Sequence, residues 1–261
     1  MTLNESQLAR FGRQGFLLLE EVFSPEEVGV LTAALPEVAD PQRTEAVLDR
    51  KSGTVRMAHG IHSLSDAFRR LAFHPRLVGL AERLLGGPVY VYQSRLNLKA
   101  PFRESAAAGY PWHQDFSTWH FRDGLPEPRA LVTITFLDEV TACNAPVMVF
   151  PGSHRAGLLG QREQGGEFLQ VVLGPDLLQD LAAAGGVEAV TGPPGAVLLM
   201  DCNLVHASTE NISPLRRALC SVIYSALDNQ PSRVERDDRY VPREITAVQP
   251  LEDDCLRTLA G

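Results

Sequence analysis

From Pro88 onward the chain is a succession of short β-rich runs, at 89–98, 130–137, 147–150, 196–202 and 217–227, parted by Gly, Pro and Asn turns. That pattern is the signature of an all-β sandwich or barrel, with any helices packed outside it. The first 87 residues have a different texture. Residues 5–13 predict a short helix ended by Gly15, and 16–22 a strand. Ser24-Pro25-Glu26-Glu27 is a capping box with Pro at the first helical position, so a helix should start at Pro25 and run to about Pro36. Residues 47–49 and 55–57 flank Ser52-Gly53 as a hairpin. Residues 63–73 and 75–85 carry apolar side chains at helical spacing, the second closed by Gly86-Gly87. The expectation is one domain over 1–261, mainly β with flanking helices: a helical N-terminal support over 1–87, a β core over 88–227, and a charged, Pro-containing tail over 228–261 wrapping the outside. Residues 157–186 interrupt the core with a Gly/Gln/Glu-rich passage and one helix over 175–184, a lid candidate at the barrel mouth.

Composition narrows the partners. A chain of 261 residues with 21% charged and 44% hydrophobic residues reads as an ordinary soluble globular protein. Its net charge of −8 argues against nucleic acid, and no apolar run reaches membrane-spanning length. The four cysteines, Cys143, Cys202, Cys220 and Cys255, show no zinc-like spacing and suit a reducing cytosol. A cytoplasmic enzyme or binding protein acting on a small molecule is the default, its oligomeric state left open, a homodimer included.

The chemistry concentrates in residues 111–126, PWHQDFSTWHFRDGLP, which hold both Trp of the chain. His113 and Asp115 form an H-x-D pair. On a strand running into a loop, residues two apart share a face. An imidazole and a carboxylate converging this way are two thirds of a 2-His-1-carboxylate facial triad for non-heme Fe(II). His206 follows the apolar strand 196–200, where a third ligand could enter the same barrel mouth. Arg217 begins the next strand; pointed into a barrel it would need an anion, because an unpaired buried charge is prohibitive. Neighbouring Arg216 reads as a surface salt bridge.

H-x-D, a distant His, an Arg beyond it and the run NAPVMVFPGSH over 144–154 resemble the phytanoyl-CoA dioxygenase superfamily. The nearer likeness is to its ectoine hydroxylase subgroup, through Trp112, His113, Asp115, Phe116, Thr118, Trp119, His120 and Asp123 to Pro126. It extends to SGTVR at 52–56, YVYQSRLNLK at 90–99, TGPPGAVLLMDCNLVH at 191–206 and NISP at 211–214. The resemblance implies a double-stranded β-helix (a jelly-roll, cupin-like core) and an Fe(II)/2-oxoglutarate-dependent hydroxylase that also consumes O2. It implies His113, Asp115 and His206 as iron ligands and Arg217 as partner of the 2-oxoglutarate distal carboxylate. Gln93, Lys99 and one hydroxyl of Thr133 or Thr135 are further co-substrate candidates; Trp119 should wall the substrate pocket. A carboxylate at 115 favours hydroxylation, since halogenases of the superfamily carry a small residue there.

Departures from the subgroup cluster at expected substrate contacts: Tyr110, Gln114, Ser117 and Arg122 inside the motif, and Ser221 where the subgroup carries an aromatic ring. They imply a small zwitterionic, amino-acid-like substrate such as a proline-like or pipecolate-like amino acid, as in natural-product tailoring. Ectoine hydroxylation is the alternative, and a metal-free β-barrel binding module a third. Desaturation or ring closure would use the same ligand set.

Overall fold

The computed structural model describes residues 1–49, 52–102, 109–159, 161–162, 171–233 and 235–259. In chain order its elements are α1 (Glu5–Gln14), β1 (Phe16–Leu19), α2 (Pro25–Ala33), α3 (Leu35–Val38), β2 (Ala46–Leu48), β3 (Val55–His59), α4 (Ile61–Leu64), α5 (Asp66–Ala72), α6 (Pro75–Leu85), β4 (Val89–Lys99), β5 (Tyr110–His113) and α7 (Asp115–Thr118). A π-turn over Trp119–Asp123 leads to β6 (Ala130–Phe136), β7 (Val147–Val149), β8 (Gln161–Arg162), β9 (Val171–Val172), α8 (Pro175–Gly185), β10 (Glu188–Val190), β11 (Val197–Asp201), β12 (His206–Ser208) and β13 (Arg217–Ala226). A seven-stranded sheet runs β1-β11-β6-β13-β4-β3-β2 and a four-stranded one β10-β7-β12-β5, all neighbours antiparallel. Together with the flanking helices this is the expected double-stranded β-helix.

Local chemistry places the helices. Asn4 and Ser24 close reciprocal capping boxes with Gln7 and Glu27, and α1 stops at left-handed Gly15. Pro36, expected to end α2, instead sits in the first turn of α3, where its missing N–H costs nothing. The helix expected over 63–73 breaks at extended Ser65 into α4 and α5. The hairpin β2–β3 forms as expected, in antiparallel register. The strands at 110–113, 188–190 and 206–208 are too short to stand out as β-rich runs.

The large sheet is buried on both faces. Ala218, Cys220, Val222 and Tyr224 of β13 pack with Leu77, Val78 and Leu80 of α6, while Leu219 and Ile223 face the barrel interior with Val132, Leu198 and Met200. A bulge in the β13–β4 register between Ile223 and Tyr224 places Gln93 and Val91 opposite these two consecutive residues, leaving Tyr92 as the extra one. Alternation therefore resets, and Tyr92 and Gln93 both turn inward. The tail docks onto the start of β4 and the end of α5 through Val248 N–H to Val89 O (2.8 Å) and Leu251 N–H to Phe73 O (2.9 Å). Among the described residues no helix is long and apolar enough to cross a membrane.

Two turns carry left-handed backbone for identifiable reasons. Ala145 stands at φ 67°, a left-handed value that favours Gly, and Asn144 braces that turn by donating to Glu139 O (2.7 Å) and accepting from Thr141 N–H (2.7 Å). Gly195, at φ 85°, precedes β11, and its carbonyl accepts from Phe23 N–H at 3.0 Å; an added Cβ would collide with Phe23 O. Gly195→Ala should therefore destabilise the protein by about 2–4 kcal/mol, combining left-handed strain with displacement of the α2 lead-in. A fall in the chemical-denaturation midpoint at unchanged slope checks this; an unchanged midpoint would show that the turn yields freely.

Candidate active site

β12 lies between β7 and β5, and its register sets His206 directly opposite His113. The two rings stand 4.1 Å apart, centroid to centroid. Asp115 joins them by a different route from the strand alternation expected. β5 ends at His113, Gln114 is extended, and Asp115 opens α7. The chain thus turns the carboxylate back toward the imidazoles: Asp115 Oδ1 is 3.8 Å from His113 Nε2 and Oδ2 is 3.9 Å from His206 Nε2. One ligand atom from each of the three lies within 4.8 Å of the others. Ligand atoms about 2.1 Å from a shared ion at right angles are about 3 Å apart, so binding a metal asks these side chains to close by roughly an ångström or two.

Their protonation states suit that role. His113 Nδ1 meets Pro111 O at 2.9 Å and His206 Nδ1 meets Leu204 O at 3.0 Å. Each ring is thereby the tautomer that aims the Nε2 lone pair at the common centre. Burial, followed by the neighbouring His206, pushes His113 down to about 3, so it stays neutral. Burial opposes ionisation of Asp115, but Arg95 and the two imidazoles outweigh it and bring its carboxyl down to about 2. Arg95 Nη2 lies 3.3 Å from both carboxylate oxygens.

Two compartments meet at this cluster. The inner one, about 100 Å³, has an apolar floor of Val132, Ile134, Met200 and Leu219 and holds Arg217 and Lys99. These two cations are opposite each other across the β13–β4 ladder. Arg217 is buried, and its Nε has no hydrogen-bond partner among the described residues. Burial lowers it to about 10, still a cation at neutral pH. A buried, unmatched guanidinium is costly unless an anion completes it, and a dicarboxylate reaching from the metal cluster is of that kind. Arg216, by contrast, pairs outside with Asp138 at 2.8 Å. The outer compartment, about 790 Å³, is walled by Trp119, Trp112 and Ser117, with Leu173 and Leu178 from the 157–186 insertion.

The remaining expected residues fall unevenly. Lys99 and Ser221 both line the inner compartment, which moves Ser221 from the substrate side to the side of Arg217. Gln93 goes the other way: it lines the outer compartment and donates to Tyr240 O. Six residues of strand, roughly 20 Å, separate it from Lys99. Thr133 and Thr135 line neither. Thr133 Oγ1 donates to Val222 O (2.8 Å), and β6 presents Val132 and Ile134 to the cavity instead. Gln114 is also absent from both walls; its side chain ties Gly157 O (2.8 Å), Asn203 O (2.6 Å) and Leu159 N (2.7 Å), bracing the start of the insertion. Trp119 is buried edge-on to Tyr92, ring centroids 5.1 Å apart.

Sequence reasoning missed Arg95, Asn97, Arg56 and the tail residues Arg236, Asp237 and Tyr240, all of which line the cavities. Gln93, Arg95, Asn97 and Lys99 are polar at alternate positions of a strand whose other residues, Ser94 apart, are apolar or aromatic, a signal that could have found Arg95 and Asn97. Nothing marked the tail. Arg236 is held there by buried Asp123, Nε to Oδ1 2.6 Å, and Asp123 also accepts from Tyr92.

Residues 11–219 match the family model described as phytanoyl-CoA dioxygenase. The L-proline trans-4-hydroxylase of Streptomyces griseoviridis is 37% identical over 259 residues, covering 95% of this chain and 96% of that one. The ectoine dioxygenase of Sphingopyxis alaskensis is 39% identical over 280 residues, covering 99% and 87%. A crystal structure of EctD from S. alaskensis with 2-oxoglutarate and 5-hydroxyectoine superposes with a TM-score of 0.82 at 36% identity, covering 96% and 87%.

Lys99 offers a pH test of the inner compartment. Burial, then Arg217 and Arg56, lower its ammonium to about 8. It is charged below that value and neutral above it, so affinity for 2-oxoglutarate should fall as pH rises through about 8. Lys99→Met should bind more weakly at neutral pH and show no such fall. Calorimetric titration on either side of pH 8 checks this, and identical profiles for the two proteins would exclude Lys99.

Proposed function

This chain belongs to the phytanoyl-CoA dioxygenase family, and on that basis we propose that it hydroxylates a free cyclic α-amino acid of the proline or pipecolate type. It is an Fe(II)/2-oxoglutarate-dependent dioxygenase, a hydroxylase of a small amino-acid-like metabolite. The observation that carries the division of roles is Arg217, a buried guanidinium with an unmatched Nε in the compartment that ends at the His-Asp-His cluster.

When bound, iron and 2-oxoglutarate supply oxygen activation and insertion of one oxygen atom into a C–H bond, with succinate and CO2 as the other products. His113, Asp115 and His206 would hold the iron from one face. Pro111 and Leu204 fix the imidazole tautomers through their carbonyls, and Arg95 keeps Asp115 ionised. Arg217 and Lys99 would hold the distal carboxylate of 2-oxoglutarate over the apolar floor. Trp119, Ser117 and Gln93 would line the substrate side, and Leu173 and Leu178 of the 157–186 insertion would cap it against water. We take 1–261 as one catalytic domain, with the insertion as its lid, although 160 and 163–170 of that insertion lie outside the described residues. Free thiols at Cys143, Cys202, Cys220 and Cys255 support a cytoplasmic location; assembly as a homodimer would leave these roles unchanged.

One observation favours a proline-like substrate: similarity to the L-proline trans-4-hydroxylase spans both chains almost end to end, 95% and 96%. Ectoine hydroxylation is the second reading, favoured by the 39% identity to ectoine dioxygenases. The anaerobic enzyme loaded with Fe(II) and 2-oxoglutarate is mixed with O2 and with L-proline, L-pipecolate or ectoine, and products gaining one oxygen are quantified. Hydroxylated L-proline or L-pipecolate is the expected product, and preferential turnover of ectoine would reject the proposal. Arg217→Ala should raise the 2-oxoglutarate KM by on the order of 100-fold while Fe(II) binding persists. An unchanged KM would remove Arg217 from the co-substrate site.

A further inference from the structure

We infer that Arg56 holds the carboxylate of the substrate, an assignment that rests on the amino-acid reading above. Arg56 lies on β3, in the N-terminal part of the chain, and it lines both the inner and the outer compartment. Its Nε is buried and has no hydrogen-bond partner among the described residues.

The other ionised groups on the outer wall each face a partner, although Arg95 Nε, like that of Arg56, makes no hydrogen bond among the described residues. Arg95 is held by Asp115 at 3.3 Å, and Arg236 by Asp123 at 2.6 Å. Arg122 is not without a partner. Asp237 faces Arg239 at 3.2 Å. His59, across the ladder from Arg95, is neutral: burial, followed by Arg95, pushes it down to about 3. Arg56 is therefore the cation on this wall, among the described residues, with a buried donor and no counter-ion.

An amino-acid substrate displaces water from the cavity and brings its own carboxylate. An unpaired carboxylate there would be strongly disfavoured, whereas a guanidinium can meet both oxygens at once. In the inner compartment Arg217 and Lys99 serve the co-substrate. Arg56 is near enough to Lys99 to help lower its ammonium, yet it also lines the outer compartment, as His113 and Asp115 do and Arg217 and Lys99 do not. That reach into the outer compartment turns Arg56 toward the substrate. Tyr110 lines both compartments as well. It stands where the family motif has an aromatic residue.

The test compares wild type, Arg56→Met and Arg56→Lys with L-proline and L-prolinamide, varying 2-oxoglutarate separately. In Arg56→Met the KM for L-proline should rise about 10- to 100-fold, and the KM for 2-oxoglutarate by less than about 3-fold. The preference for L-proline over its uncharged amide should shrink by the same factor, and Arg56→Lys should recover part of it. An unchanged preference, or a rise confined to 2-oxoglutarate, overturns the assignment. If wild type prefers ectoine, the substrate reading fails by itself, and the same KM split measured on ectoine then decides the role of Arg56.

Discussion

The active site depends on two cross-strand registers. In the small sheet His206 lies opposite His113, and in the large sheet Arg217 lies opposite Lys99. A slip of one residue in either would turn the functional side chain to the other face. A slip in the large sheet would put Arg217 among the Leu and Val side chains under α6, so core burial and site geometry are enforced by one alternation. The bulge at Tyr92 belongs to the same constraint. It lets β4 pack Tyr90 and Tyr92 inward at one end and still deliver Gln93, Arg95, Asn97 and Lys99 to the cavity at the other.

Electrostatics then divides the cavity. Four cations, Arg56, Arg95, Lys99 and Arg217, line the inner compartment against the carboxylate of Asp115. Their mutual repulsion is visible in Lys99, whose ammonium Arg217 and Arg56 help to lower toward 8. Such a compartment is organised for anions that arrive later, which is how a dicarboxylate co-substrate and a zwitterionic substrate can each find a matching charge. Arg95 has a different duty: by holding Asp115 ionised it keeps that carboxylate available to a metal in the absence of ligand.

Much of this was legible in residue order. The capping box at Ser24 rests on short-range hydrogen bonds, and its residues declare it locally. The four long runs at 89–98, 130–137, 196–202 and 217–227 declare themselves because they form adjacent strands of the large sheet, which is buried on both faces. That same property hid which side is which. Thr133 and Thr135 were candidates because nothing in a doubly buried strand says which parity faces the cavity, and the fold gave that place to Val132 and Ile134. Ser221 and Gln93 exchanged compartments for a related reason: position along a strand tells distance from Arg217 but not where the metal cluster divides the barrel.

What the sequence by itself determined is therefore the chemistry on offer: H-x-D, a distant His, a buried-strand Arg, and β segments of the right length to bring them together. These rest on residue identity and on spacings within one element. Only the tertiary structure decided that Asp115 reaches the cluster through a helical turn, that a hairpin from the N-terminal part supplies Arg56, and that the tail returns to wall the cavity with Arg236 and Tyr240. Those placements depend on pairings between residues dozens to more than a hundred positions apart. No local propensity encodes them, because the free energy that selects them appears only when the whole barrel closes.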